Sequence, residues 1–178
     1  TTSSNLSSSR ALRDVTEQYG GDYYAAAVGE VNVTTRMKEC GCLIGGEGNG
    51  GVIYPALHYG RDAMVGVALF LTNLAYKNIK VSELLATYPK YVIAKNKIEL
   101  SDSALIDRIL EEVKSVYASE DINTIDGVKI SFEDRKEWVH LRRSNTEPII
   151  RIYAEAATKE AADALAQQII DIAESIIK

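Results

Sequence analysis

Short apolar bursts separated by glycine punctuate the first half of the chain, and their period changes from element to element. Residues 7–20 carry a serine run followed by helix-compatible spacing, which predicts a helix stopped by Gly20-Gly21. DYYAAAV at 22–28 then predicts a strand, EVNVTTRMKE at 30–39 a helix, and CLIGG and VIYP two short strands close together. Asp62 stands where a cap is expected, ahead of a helix over 63–76. Met64, Val65, Val67, Ala68, Leu69, Phe70, Leu71 and Leu74 leave that helix almost no polar face, so it is expected to be covered on most sides. VSELLATYP predicts a short helix ending near Pro89.

The second half follows another order. KYVIAKNKIEL predicts a strand, and 102–117 a helix with Leu105, Ile109, Val113 and Val116 on one face. NTIDGVKISF predicts a hairpin turning at Asp126-Gly127, and EWVHLRR and IIRIYAEA two further strands. From Thr158 a last helix repeats apolar residues at Leu165, Ile169, Ile172 and Ile176. Strand-then-helix order in the first half predicts an α/β domain with a mixed sheet and covering helices over 1–87. Hairpin strands under two amphipathic helices predict an α+β domain with an antiparallel sheet over 88–178.

Two connections carry unusual chemistry. In Gly45-Gly46-Glu47-Gly48-Asn49-Gly50-Gly51, five of seven residues are glycine, so the backbone can approach a ligand closely and only Glu47 and Asn49 present side chains. A carboxylate and an amide together accept and donate hydrogen bonds, as vicinal sugar hydroxyls require; a flexible hairpin loop is the plainer alternative. The second connection, Arg142-Arg143-Ser144-Asn145-Thr146-Glu147, ends at Pro148 and joins two apolar strands. Guanidiniums, hydroxyls, an amide and backbone N–H groups concentrated at one strand end suit a phosphate, and equally a solvated turn whose arginines pair with carboxylates.

Composition narrows the field. The 178 residues are 46% apolar, enough for one large or two small globular domains. A net charge of −5 argues against sequence-independent DNA binding, so any anion site must be local. No apolar run approaches the ~18 residues needed to cross a bilayer, and the first ten residues lack the apolar stretch of a secretory signal, so a soluble, cytoplasmic protein is expected. Cys40 and Cys42 stand too close for a comfortable disulfide and lack the partners of a zinc site, which predicts reduced thiols. His58 and His140 lie in different segments, and His140, inside a strand pattern, is expected to be structural.

With both loops in view, GGEGNGG resembles the sugar-binding loop and RRSNTEP the phosphate-binding loop of the α-D-phosphohexomutases, a superfamily that includes phosphoglucomutase, phosphomannomutase and phosphoglucosamine mutase. The second is similar to the family pattern R-x-S-x-T-x-P, matched by Arg142, Ser144, Thr146 and Pro148. VGEVNVTTRM and GRDAMVGVALFL also resemble segments of the family's third domain, so the likeness spans nearly the whole chain as a third and a fourth domain. It implies interconversion of hexose 1-phosphate and 6-phosphate through a sugar bisphosphate, with Glu47 and Asn49 as sugar contacts. Arg142, Ser144, Asn145, Thr146 and Arg151 are implied as phosphate contacts. Glu30 stands where members place a polar cleft residue and could serve acid–base work, or could be a helix-start carboxylate favoured by the dipole. Many members carry histidine where this chain has Gly51, which leaves that proton-transfer role without an evident bearer.

Nothing here resembles the family's phosphoserine loop or its magnesium loop. The resemblance therefore implies a C-terminal part of a longer enzyme, inactive alone, whose magnesium ligands and N-terminal domains lie elsewhere. A free-standing phosphosugar-binding or regulatory module is the alternative. An RNA-binding domain using Arg142 and Arg143 fits the acidic balance poorly, and neither nucleic acid nor membrane is an expected partner. The glycine-rich loop is most similar to that of phosphoglucosamine mutases, so glucosamine phosphate is the expected substrate, with glucose and mannose phosphates close behind.

Overall fold

A computed structural model describes residues 1–100, 104–144, 147 and 149–177. The chain forms two compact units, Thr1–Lys90 and Tyr91–Lys178. The first contains β1 (Thr2–Asn5), α1 (Ala11–Gln18), β2 (Tyr23–Ala26), α2 (Glu30–Cys40), β3 (Ile44–Glu47), β4 (Gly51–Tyr54), β5 (His58–Arg61), α3 (Ala63–Lys77) and α4 (Val81–Ala86). Its sheet runs β2-β1-β3-β4-β5, parallel through β2, β1 and β3 and antiparallel through β4 and β5. This is the expected mixed α/β sheet.

One strand escaped the apolar-pattern reading. Residues 2–5 are Thr-Ser-Ser-Asn, yet they form the central parallel strand β1, and the helix expected over 7–20 begins only at Ala11. Ser3, Ser4 and Asn5 are buried although polar. Small side chains suit this position because the neighbouring β3 is glycine-rich: a Cβ on Gly45 would lie 2.7 Å from the Ser3 carbonyl oxygen. Tight backbone pairing takes the place of side-chain packing here, and the apolar cluster of the unit is correspondingly small: Ala26, Val33, Met37, Cys42 and Ile53. Cys40 and Cys42 are free, and burial pushes the Cys42 thiol up from its ordinary value.

The apolar helix differs from expectation in another way. Asp62 caps α3 by accepting from the Met64 and Val65 N–H groups at 2.8 and 3.0 Å, as the spacing predicts. No residue of α3 is fully buried, however, and Met64, Val67 and Leu71, which share one helical face, are 76%, 51% and 54% exposed. The run of apolar residues records a demand for cover that no described residue meets on that face.

The second unit contains β6 (Val92–Glu99), α5 (Ala104–Val116), β7 (Asp121–Asn123), β8 (Val128–Phe132), β9 (Glu137–Arg143), β10 (Ile149–Ala156) and α6 (Lys159–Ile177). Its sheet, β6-β10-β9-β8-β7, is antiparallel throughout. Alternation along β9 and β10 sends Val139, Leu141, Ile150, Ile152 and Ala154 into a core shared with α5 and α6. On α5 the buried residues are Ile106, Ile109 and Val113, whereas the expected Val116, the last residue of the helix, is 53% exposed. The opposite sheet face carries Trp138, His140 and Arg142 on β9 beside Arg151, Tyr153 and Glu155 on β10. There the Trp138 indole donates to Glu155 Oε1 at 2.7 Å and the Lys129 ammonium lies 4.1 Å from the indole ring centroid.

His140 is structural, as its place in a strand pattern predicts. It is 1% exposed, and its Nε2 donates to the Asp126 carbonyl of the β7–β8 turn at 2.6 Å. Burial lowers its pKa from 6.5 to about 4, against the opposing effect of that hydrogen bond. Between those two values the unfolded chain holds a proton that the folded chain does not. Stability is therefore complete above about pH 6.5 and is lost as pH falls towards 4, by about 3 kcal/mol for this group. Urea denaturation at pH 7.5 and 4.5 should show this loss, and His140→Gln should reduce it while keeping a donor for Asp126. Ile152→Ala, at the fully buried centre of β10, should lower unfolding free energy by about 2–5 kcal/mol in the same assay.

Candidate functional site

In the first unit the sugar-loop residues lie at the end of β3. The outer glycines of the loop belong to β3 and β4, and only Gly48-Asn49-Gly50 form the turn, closed by the Gly50 N–H on the Glu47 carbonyl at 3.1 Å. The pairing demands glycine, since a Cβ on Gly46 would be driven into the Gly51 carbonyl oxygen. Asn49 Oδ1 accepts from the Gly51 N–H at 3.2 Å, an Asx turn that leaves the Asn49 amide nitrogen facing outward without a partner among the described residues.

Glu47 is held more firmly than a flexible loop would hold it. Its side chain is 6% exposed. Oε1 accepts from Asn5 Nδ2 at 2.9 Å and from the Gly29 N–H at 3.2 Å, and Oε2 lies 3.7 Å from Arg61 Nη1. Arg61 also ties down Glu30: its Nε donates to Glu30 Oε2 at 2.8 Å and its N–H to Glu30 Oε1 at 3.2 Å. Glu30, at the start of α2 after Gly29, thus sits with Asn49, Gly51, Arg61 and Asp62 around an open cleft of about 610 Å3. The Asp62 carboxyl is held below the usual carboxylate range, first by the Val65 N–H and then by His58 and Met64. Asn5 and Arg61 were not foreseen. Asn5 is hidden in a stretch that looks like a serine-rich cap, and Arg61 in a strand too short to show a period.

In the second unit, register rather than loop sequence assembles the cationic site. Arg142 on β9 stands opposite Arg151 on β10, and Arg151 stands opposite Lys97 on β6. Directly opposed residues of antiparallel strands point to the same face, so three cations form a row across three strands. Lys97 was not foreseen, although its alternation with Lys95 in β6 was a readable signal. Hydrogen bonding to Glu99 at 2.8 Å raises the Lys97 pKa, which keeps it charged. Arg151 Nη2 donates to Glu147 Oε2 at 3.3 Å, and Arg143 Nη2 to Asp107 Oδ1 at 3.2 Å, both exposed. Arg142 differs: its Nε is buried and has no hydrogen-bond partner among the described residues. Gly127, at φ +74°, lets the β8 turn pass close by, since a Cβ there would come 2.9 Å from the Arg142 Cα. The Ser144 N–H donates to the Ile149 carbonyl at 3.0 Å, closing the strand ends beneath the loop. Asn145, Thr146 and Pro148 lie outside the described residues.

Among the described residues, no three His, Cys, Asp or Glu side chains group to hold a metal ion. No helix among them is long and apolar enough to cross a membrane.

Two sequence models of one family account for the chain. The model described as phosphoglucomutase/phosphomannomutase, alpha/beta/alpha domain III, matches residues 1–91, and that of the C-terminal domain matches residues 91–172. The chain is similar to a probable phosphoglucosamine mutase of Methanopyrus kandleri, with 35% identity over 94% of this chain and 37% of the relative. It is also similar to a phosphoglucomutase/phosphomannomutase of Thermococcus kodakarensis, with 36% identity over 97% of this chain and 38% of the relative. A crystal structure of a Burkholderia thailandensis phosphoglucomutase/phosphomannomutase family protein superposes with a TM-score of 0.80 at 23% identity, over 98% of this chain and 37% of that one, and shows the same fold. The chain spans a little over a third of the length of these relatives, in the order domain III then C-terminal domain. It belongs to the phosphoglucomutase/phosphomannomutase family.

Proposed function

We propose that these residues are the sugar- and phosphate-holding part of a phosphohexomutase that interconverts hexose 1-phosphate and hexose 6-phosphate through a sugar bisphosphate. The observation that carries the phosphate half is the buried, unpartnered Arg142 Nε at one end of the Arg142–Arg151–Lys97 row. A buried donor without an acceptor is costly, and three neighbouring cations repel one another; a phosphate dianion relieves both. Arg142, Ser144 and Arg151, with Asn145 and Thr146 from the same loop, grip the phosphate that is not reacting, while Glu47 and Asn49 read ring hydroxyls. Binding energy spent on the remote phosphate and the ring positions the reacting end.

These loops position and neutralise. The nucleophile and the magnesium of such an enzyme belong to residues other than those described, and this chain alone turns nothing over. Glucosamine phosphate is the preferred substrate in this reading, supported by the phosphoglucosamine mutase name of the Methanopyrus relative; glucose and mannose phosphates are close analogues. A binding module without catalysis would use the same loops, and the mutase names of relatives aligned over nearly the whole chain favour the enzyme.

Calorimetric titration of the chain with inorganic phosphate and with glucosamine 6-phosphate tests this reading. Arg142→Ala should weaken both ligands by about tenfold or more, the worth of one lost charge-assisted hydrogen bond. Unchanged affinity for both would end the proposal. Glu47→Gln should weaken glucosamine 6-phosphate while leaving inorganic phosphate unchanged, because it alters ring contacts and not the cationic row.

A further inference from the structure

Within the phosphosugar reading above, on which this inference rests, the geometry of the first unit assigns a role to a residue that no sequence pattern marks. We propose that Asn5 is a positioning residue for the hexose: with the Gly29 N–H it occupies Oε1 of Glu47, so that the carboxylate meets ring hydroxyls through Oε2 alone. Oε1 receives two donors, Asn5 Nδ2 at 2.9 Å and the Gly29 N–H at 3.2 Å, and an sp2 oxygen has two lone-pair directions to give. Oε2 makes no hydrogen bond with the described residues, and its sole charged neighbour among them is Arg61 Nη1, 3.7 Å away. The two oxygens of one side chain therefore have different work.

Asn5 is itself fixed. It is 5% exposed, and its Oδ1 accepts from the Ser7 N–H at 3.1 Å and from Ser8 Oγ at 2.9 Å. Ser8 Oγ in turn accepts from the Gly48 N–H at 2.8 Å, so the end of β1 braces the glycine turn from two directions. Each donor and acceptor of the Asn5 amide has one orientation that satisfies the network, with its nitrogen towards Glu47. A carboxylate locked in this way loses no rotamer freedom when a sugar arrives.

Arg61 completes the reading edge. A side chain at position 51 would meet Arg61 Cδ at 2.5 Å, so bare Gly51 allows the arginine stem to lie over β4 and bring its guanidinium beside Oε2. One ring hydroxyl can then donate to Oε2 and accept from Arg61 at once. An acceptor and a donor side by side distinguish an equatorial hydroxyl from its axial epimer, which reaches only one of them. The ligand class is a pyranose phosphate, recognised by one face of one carboxylate.

Proton–nitrogen correlation NMR of the 178-residue chain tests the assignment. Amides of residues 48–51 should move with glucose 6-phosphate and not with inorganic phosphate, while Ser144 should move with both. At saturating glucose 6-phosphate the Asn5 side-chain amide signals should keep their hydrogen-bonded positions. Asn5→Asp, which is isosteric but cannot donate, should raise the Kd for glucose 6-phosphate about tenfold and leave that for inorganic phosphate unchanged. It should also erase the preference for glucose 6-phosphate over galactose 6-phosphate, a readout that a merely structural residue would not move. If the Asn5 amide is released on binding, if the glycine turn ignores the sugar, or if Asn5→Asp binds like the parent chain, the inference is overturned. Should Ser144 respond to neither ligand, the phosphosugar reading falls, and this inference with it. The wild-type spectra decide the matter even if Asn5→Asp does not fold.

Discussion

The antiparallel pairing of β9 with β10, and of β10 with β6, is the constraint on which the cationic site depends. It sets Arg142, Arg151 and Lys97 in one row, and no shift of register by a single residue could do so without turning the buried Ile150, Ile152 and Val139 out of the core. The apolar face therefore enforces the polar one. At an effective dielectric near 20, two unit charges 6 Å apart repel by about 3 kcal/mol, so a row of three stores unfavourable energy unless an anion joins it. Glu147 pairs with Arg151 and Glu99 with Lys97, and the buried Arg142 Nε is left for something else. The core of the second unit, deep and largely aliphatic, is what allows the sheet to carry this strain.

The first unit follows the opposite logic. Its apolar cluster is small, and its central strand is polar. Hydrogen bonds from Asn5 to Glu47 and from Arg61 to Glu30, joined by the Arg61–Glu47 ion pair, supply order where packing is thin. Buried polar networks of this kind hold one geometry well when every member is satisfied. In the proposed sugar-reading role, that single geometry counts for more than a larger core.

Legibility in the sequence divides along the same line. The second unit was readable almost strand by strand, because aliphatic alternation in β9 and β10 and the heptad-like spacing of α6 come from a core that dictates residue type. Arg142 and Arg151 could be named from their loop and strand, but Lys97 required the pairing of β6 with β10, a contact across more than fifty residues that no local pattern encodes. In the first unit the glycine loop announced itself through composition, whereas β1 did not, because Thr-Ser-Ser-Asn carries no apolar period. With β1 unseen, Asn5 could not be placed beside Glu47, and Arg61 could not be placed beside Glu30. The apolar run of α3 was legible as a demand for cover, yet sequence does not say which surface supplies it, and among the described residues Met64, Val67 and Leu71 remain exposed.

The same distinction explains why His140, two residues from Arg142 on the same strand face, is not part of the charge row. Its imidazole is buried and donates to the Asp126 carbonyl, and burial, with Lys129 and Arg142 nearby, holds its pKa far below the physiological range. It is neutral wherever a sugar phosphate carries its second negative charge, near and above pH 6. The lysine of the row, Lys97, is held charged by its hydrogen bond to Glu99. Burial beneath the turn at Asp126 thus ties the stability of the sheet to acid while keeping a neutral imidazole, not a fourth cation, beside the row.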